Sequence, residues 1–220
     1  MIQNINTELI KSSFNTSYAL LFTTGTITFI EALRTKDTKI RHIMNIETVI
    51  SLIAGYFYSK FLTLINDQNV DYGKINLLRY TDWFMTTPFM LLGLGLVMTY
   101  NLKTEFKLKH FVYFLLLDYA MLLFGYLGEI GKINKNLGLW GGFACFALLF
   151  YYIYYIYIKD KKSLANVVTY LVFLIFWAVY GIAYTNKSDI IKNLIYNTLD
   201  VFAKCIVGIG FWAYFVKLFD

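Results

Sequence analysis

Lys204 lies inside an apolar run from roughly Leu194 to Val216, and Asp200 stands one helical turn before it on the same face. An amine at the centre of a membrane helix is costly unless it is paired or chemically altered. Two chemistries therefore compete at this position. One is a buried ion pair that fixes helix packing; the other is an amine held in a dry pocket to form a Schiff base with an aldehyde. A second polar stripe comes from Arg79, Asp82 and Thr86, which recur three and four residues apart. Two aspartates, Asp82 and Asp200, at similar depth to one lysine are what a buried cation requires as counter-ions. Glu31, Glu47 and Asp118 complete the ionisable residues that fall within apolar runs. Intramembrane groups of this kind usually mark an ion or proton path.

The elements that must position these groups are membrane helices. The 220 residues are 58% hydrophobic and 20% aromatic with a single proline, more apolar than a soluble domain, where roughly half is usual. A spanning helix needs about 20 apolar residues. Runs that qualify cover 17–34, 41–63, 76–100, 108–128, 137–158, 163–184 and 189–217. They are joined by short polar connectors such as Arg34-Thr-Lys-Asp-Thr-Lys, Asn66-Asp-Gln-Asn and Lys159-Asp-Lys-Lys. The expectation is an all-α membrane protein, one seven-transmembrane-helix bundle over 1–220.

Basic residues set the expected orientation. Arg34, Lys36, Lys39 and Arg41, then Lys103, Lys107 and Lys109, then Lys159, Lys161 and Lys162 crowd one side. That side is expected in the cytoplasm, with the N-terminus outside. The net charge of +6 does not point to nucleic acid, because the basic residues occupy loops rather than one patch. Cys145 and Cys205 both lie in apolar runs, so neither a disulfide framework nor a metal site is indicated. The stretch Met1 to Thr16 is polar and has no A-x-A-like cleavage site, so no removable signal peptide is expected.

The third run reads Arg79-Tyr-Thr-Asp82-Trp83-Phe-Met-Thr86-Thr87-Pro88, and the seventh carries Asp200-x-x-x-Lys204. Together these closely resemble the microbial (type I) rhodopsins. Trp177-Ala-Val-Tyr180-Gly181 and Asp118-Tyr-Ala-Met121-Leu-Leu-Phe-Gly125 extend the resemblance to the sixth and fourth runs. Within the family, Glu47-Thr-Val-Ile-Ser-Leu-Ile-Ala-Gly-Tyr-Phe-Tyr58 looks most like the viral rhodopsins of large algal viruses.

The resemblance implies a photoreceptor rather than an enzyme, with all-trans retinal on Lys204 as a protonated Schiff base. It makes Asp82 the primary counter-ion and proton acceptor and Asp200 the second counter-ion, completed by Arg79 and Thr86. Tyr58 and Tyr180 would hydrogen-bond Asp200. Trp83 and Trp177 would sandwich the polyene, with Met90, Met121, Gly125, Trp140 and Tyr184 closing the box. Thr87 and Asp118 would bond to each other beside it. The implied partners are the lipid bilayer, monovalent cations or protons, and a further copy of the chain. A viral origin would put the protein in a host cell membrane.

Transport polarity is harder to read. The family's proton pumps carry a donor carboxylate seven residues after the threonine, and here that position is Gly93. The family's release glutamate, twelve residues before the retinal lysine, is replaced by Lys192. Glu47, Asn197, Lys192 and Arg79 instead suggest polar groups spread along a hydrated path. The expectation is a light-gated cation channel. An outward proton pump with Glu47 as substitute donor, and a photosensor with an external partner, stay open.

Overall fold

A stripe of Ile10, Phe14, Ser17, Leu21, Thr24, Thr28 and Glu31, alternately four and three residues apart, is the buried face of the first helix. That helix, α1, runs Ile2–Arg34. It begins well before the apolar run that announced it, because the stripe continues through a polar stretch whose other faces are exposed. In this computed structural model residues 2–67 and 69–218 are described, with side chains from Glu8 onward. Gln68, inside one expected connector, and Met1 lie outside the described residues.

Six more helices follow: α2 (Thr38–Ile65), α3 (Tyr72–Leu102), α4 (Leu108–Glu129), α5 (Lys135–Tyr157), α6 (Leu164–Tyr184) and α7 (Asp189–Phe215). Each starts or stops within a few residues of its expected position. Among the described residues, the six from α2 to α7 are long and apolar enough to cross a membrane. α1 falls short on composition and joins the bundle by packing along α2 and α7. The chain is therefore an integral, multi-pass membrane protein of seven helices.

Polar residues fix the ends. Asp37 accepts from the backbone N–H of Lys39 and Ile40 at 2.8 and 3.3 Å, and Asp71 accepts from Lys74 at 2.9 Å. Ser163 and Ser188 cap α6 and α7 in the same way. The α4–α5 turn passes through Gly131 at φ +70°, a conformation that glycine reaches without a Cβ penalty.

α7 is not a uniform α-helix. Val201–Ile206 forms a π turn between two α-helical halves, and Lys204 sits inside it. The wider turn inserts an extra residue into the ladder and re-aims the side chains that follow. Such turns are rare and recur at functional sites. The apolar residues divide by depth. One buried cluster, including Ile43, Leu91, Leu94, Val97, Val207 and Phe211, fills the half of the bundle nearest the α1–α2 loop. The opposite half holds a connected group of buried polar side chains: Asn76, Arg79, Lys192, Asn193 and Asn197.

Candidate functional site

The π turn delivers Lys204 Nζ to the bundle axis, 2% exposed. It donates to Asp82 Oδ2 at 2.7 Å and lies 3.1 Å from Asp200 Oδ1. Asp82 comes from α3 and Asp200 from α7 one turn earlier, and both are fully buried. The two carboxylates are bonded very differently. Asp200 Oδ1 also accepts from Tyr180 Oη at 2.7 Å, and its Oδ2 accepts from Tyr58 Oη at 2.8 Å and faces Arg79 Nη1 at 3.5 Å. Asp82 Oδ2 meets only the lysine, and its Oδ1 has no hydrogen-bond partner. The hydroxyl of Thr86 does not reach that oxygen; it donates to the Asp82 backbone carbonyl at 2.8 Å.

Arg79 completes the constellation from the polar half. Its Nε donates to Asn193 Oδ1 at 2.9 Å, and its Nη2 donates to Asn197. Phe14, Tyr58, Phe61 and Tyr196 surround the guanidinium, with ring centroids 4.9 to 5.8 Å from Cζ. A fully buried cation is tolerated there because two amides, a carboxylate and four ring faces replace its water. Asn197 is bonded on every side: Tyr58 donates to its Oδ1 at 3.2 Å and its Nδ2 donates to Ser13 Oγ at 2.8 Å.

From Lys204 a cavity extends between α3, α4, α5 and α6. Trp83 and Trp177 line it together with Thr87, Met90, Met121, Gly125, Tyr180 and Tyr184, as expected. Beside it Thr87 Oγ1 donates to Asp118 Oδ2 at 2.6 Å. Trp140 corrects the expected set. It is 69% exposed on the outer face of α5 and does not reach the cavity. Leu139, Gly142, Phe143 and Phe146 present that helix instead. The resemblance put the wrong face of α5 inward at Trp140, and the sequence offered no check, because its neighbours are apolar and no period distinguishes the lipid face from the cavity face. Tyr80 and Tyr196 also line the cavity without having been anticipated.

A long, unsaturated aldehyde fits these residues. The lining is almost entirely apolar, the amine stands at one end, and glycines keep the other end open. A Cβ at Gly125 would stand 2.9 Å from Tyr80 Oη, and one at Gly138 would stand 3.1 Å from Tyr184 Oη. Glu47 lies apart from the cavity, 3% exposed, where α2 faces α3 and α7. A Cβ at Gly93 would sit 3.1 Å from its Oε1, and one at Gly208 would sit 3.1 Å from its Oε2. Lys192, at the opposite end, is buried and paired with Glu129 Oε1 at 2.7 Å and Asp189 Oδ1 at 3.1 Å. Glu129 escaped notice in the sequence because it lies at the very end of α4, where a carboxylate ordinarily meets water.

The comparisons agree with this geometry. Residues 8–218 match the family model described as bacteriorhodopsin-like protein. The chain belongs to that family, the microbial rhodopsins, and is thus a retinal protein. It is similar over 96% of its length to all of the viral rhodopsin OLPVRII, at 44% identity and a TM-score of 0.91. The fold is shared more widely. The blue light-absorbing proteorhodopsin from Med12 aligns at 20% identity over 94% of this chain and 97% of that one, with a TM-score of 0.78. The proton-pumping rhodopsin AR2 from the marine alga Acetabularia acetabulum aligns at 22% identity over 96% of both chains, with a TM-score of 0.79. No match was found among curated proteins.

Proposed function

We propose that the chain carries retinal on Lys204 and uses light to move protons across the membrane, from the side of the α1–α2 loop to the side of Glu129. Retinal supplies the light absorption and the isomerisation that disturb the Lys204–Asp82–Asp200 contact. The residues of the chain do the rest. Asp82 takes the proton from Lys204 Nζ, since its Oδ1 is the one carboxylate oxygen at the centre with no donor already bound. Asp200 stays charged throughout, held by Tyr58, Tyr180 and Arg79.

Glu47 returns a proton to Nζ. The observation that carries this reading is its placement: the carboxylate of α2 occupies the space beside Gly93, where the family's pumps root a donor on α3. Its other oxygen approaches Gly208, one turn from Lys204 along α7. The surrounding half of the bundle is filled by Ile43, Leu91, Leu94, Val207 and Phe211. On this side Glu47 stands beside Gly208, while the other buried acid, Glu31, lies two turns beyond Thr24, which also meets Gly208. A near acid set in apolar packing and a polar half leading outward suit one-way proton transfer.

The cation-channel expectation draws support from the polar half, where Asn76–Asn193 and Asn197–Ser13 are two bonded pairs joined through Arg79. Past Glu47 the buried polar groups include Thr24, Thr28 and Glu31 of α1 and Thr48 of α2, with the Thr28 and Thr48 hydroxyls 2.9 Å apart, and conduction asks that water pass along them. Voltage-clamp recording under illumination separates the two. A pump current keeps its sign across ordinary voltages, whereas a channel current reverses with the ion gradient.

A further inference from the structure

The polar half contains a chain of amides whose orientations are dictated from its outer end. Glu129 Oε1 and Asp189 Oδ1 both accept from Asn76 Nδ2, at 3.1 and 3.0 Å. A carboxylate can only accept, so these two hold the NH₂ group of Asn76 outward. Asn76 must then present its oxygen inward, and it accepts from Asn193 Nδ2 at 3.0 Å. Asn193 in turn must present its oxygen to Arg79, whose Nε donates to it at 2.9 Å. Lys192, buried at 3%, sits between the two carboxylates and pairs with both. Asn193 Nδ2 also donates to the Asp189 backbone carbonyl at 2.9 Å, so two acceptors turn its oxygen toward Arg79, and Asn76 is one of them. If the outer carboxylates lost their grip, Asn76 could turn over and set its NH₂ against the NH₂ of Asn193. Asn193 would then lose one of its two holds, and its contact with a guanidinium that can only donate would loosen.

We propose that Asn76 and Asn193 are positioning residues that transmit the charge of the Glu129–Lys192–Asp189 cluster to Arg79, and so hold Arg79 on the outer side of Asp82 and Asp200. The relay joins α3, α4 and α7 and ends at the surface, where Asp189 has a 47% exposed side chain. Asparagine side chains do not shuttle protons, so the relay acts by orientation and not as a proton wire. The other charged or titratable groups around the cluster are Lys135 of α5, Tyr184 of α6, Tyr72 and Tyr80 of α3 and Tyr196 of α7. With Asn193 unable to accept, Arg79 keeps only its inner partners Asn197 and Asp200 and shifts toward Asp82.

The inference rests on the proposed function only for its optical readout, so two measurements are paired. The first is the ¹⁵N spectrum of the arginine side chains in retinal-free protein in lipid vesicles. The chain has three arginines, and Arg34→Lys and Arg41→Lys assign Arg79 by elimination. Asn193→Leu should move the Arg79 Nε resonance toward weaker hydrogen bonding. Asn193→Asp, which keeps an acceptor, should restore it. Asn76→Leu, which leaves Asn193 in place but removes one of the two acceptors that orient it, should reproduce part of the shift. The second measurement is the acid-induced colour change of the retinal-loaded protein. A cation brought closer to a carboxylate favours its charged form, so the midpoint should fall by about half a pH unit to one unit in Asn193→Leu. A wild-type Arg79 resonance in Asn193→Leu overturns the proposal. A wild-type resonance in Asn76→Leu overturns its outer link. Protein that takes up no retinal refutes the proposed function, and the nitrogen spectrum still decides the relay. If Asn193→Leu does not fold, Asn76→Leu and Asn193→Asp carry the same decision.

Discussion

Exchange of the carboxylate between α2 and α3 tests the role given to Glu47. A Cβ on residue 93 would stand 3.1 Å from Glu47 Oε1, a contact that only a small shift of the glutamate could relieve. With Glu47→Ala that obstacle is gone, and an aspartate at position 93 would put its oxygens within about one bond length or two of the native carboxylate. A positioned proton donor is worth roughly a hundredfold to ten-thousandfold in rate. Flash photolysis of Glu47→Ala should therefore show recovery of the proton at Lys204 slowed by at least about a hundredfold. The slowed rate should fall about tenfold for each pH unit, because bulk protons become the source. The double variant Glu47→Ala, Gly93→Asp should regain most of the lost rate and its independence of pH. Recovery at the wild-type rate in Glu47→Ala would refute the donor role. A coloured, folded double variant no faster than Glu47→Ala would refute the claim that the two positions share one space.

Lys204→Ala with added retinal should show no visible band, while the wild type is coloured and bleaches with hydroxylamine in light; a colourless wild type contradicts the account. Asp82→Asn should absorb further to the red, since removing a nearby anion favours the delocalised excited state over the ground state, as an absorption spectrum will show. Trp140→Ala should leave that spectrum unchanged, because the side chain faces away from the cavity. Asp118→Ala breaks the 2.6 Å bond to Thr87, worth about 0.6 kcal/mol and up to about 2 in a membrane; it should alter photocycle kinetics and leave the colour nearly fixed.

The helices and the buried charged cluster were legible in the sequence, for different reasons. Long, mostly apolar runs marked α2 to α7 within a few residues, since a membrane helix cannot hide its composition. Lys204, Asp82, Asp200 and Arg79 stood out because charge in such runs is costly and needs a partner. The first half of α1 was not legible: its buried stripe runs through Ile10, Phe14 and Ser17 within a stretch whose composition looks like a surface. Trp140 was misread because in an all-apolar helix composition does not reveal which face meets lipid. Three features arise only in three dimensions. The π turn around Lys204 leaves no signature in residue type. The pairing of Glu47 with Gly93 and Gly208 requires three helices to meet. The link from Arg79 to Glu129 depends on two asparagines that a hydropathy reading treats as ordinary polar residues.

The claim at the centre of this account is that Asp82, and not Asp200, takes the proton from Lys204. Light-minus-dark infrared difference spectra read it directly, because a carboxylate that gains a proton acquires a carboxylic C=O stretch. The retinal-loaded wild type should show that band after illumination, Asp82→Asn should lack it, and Tyr58→Phe, which removes a donor from Asp200 only, should keep it. A band that survives in Asp82→Asn would contradict the account and move the acceptor to Asp200.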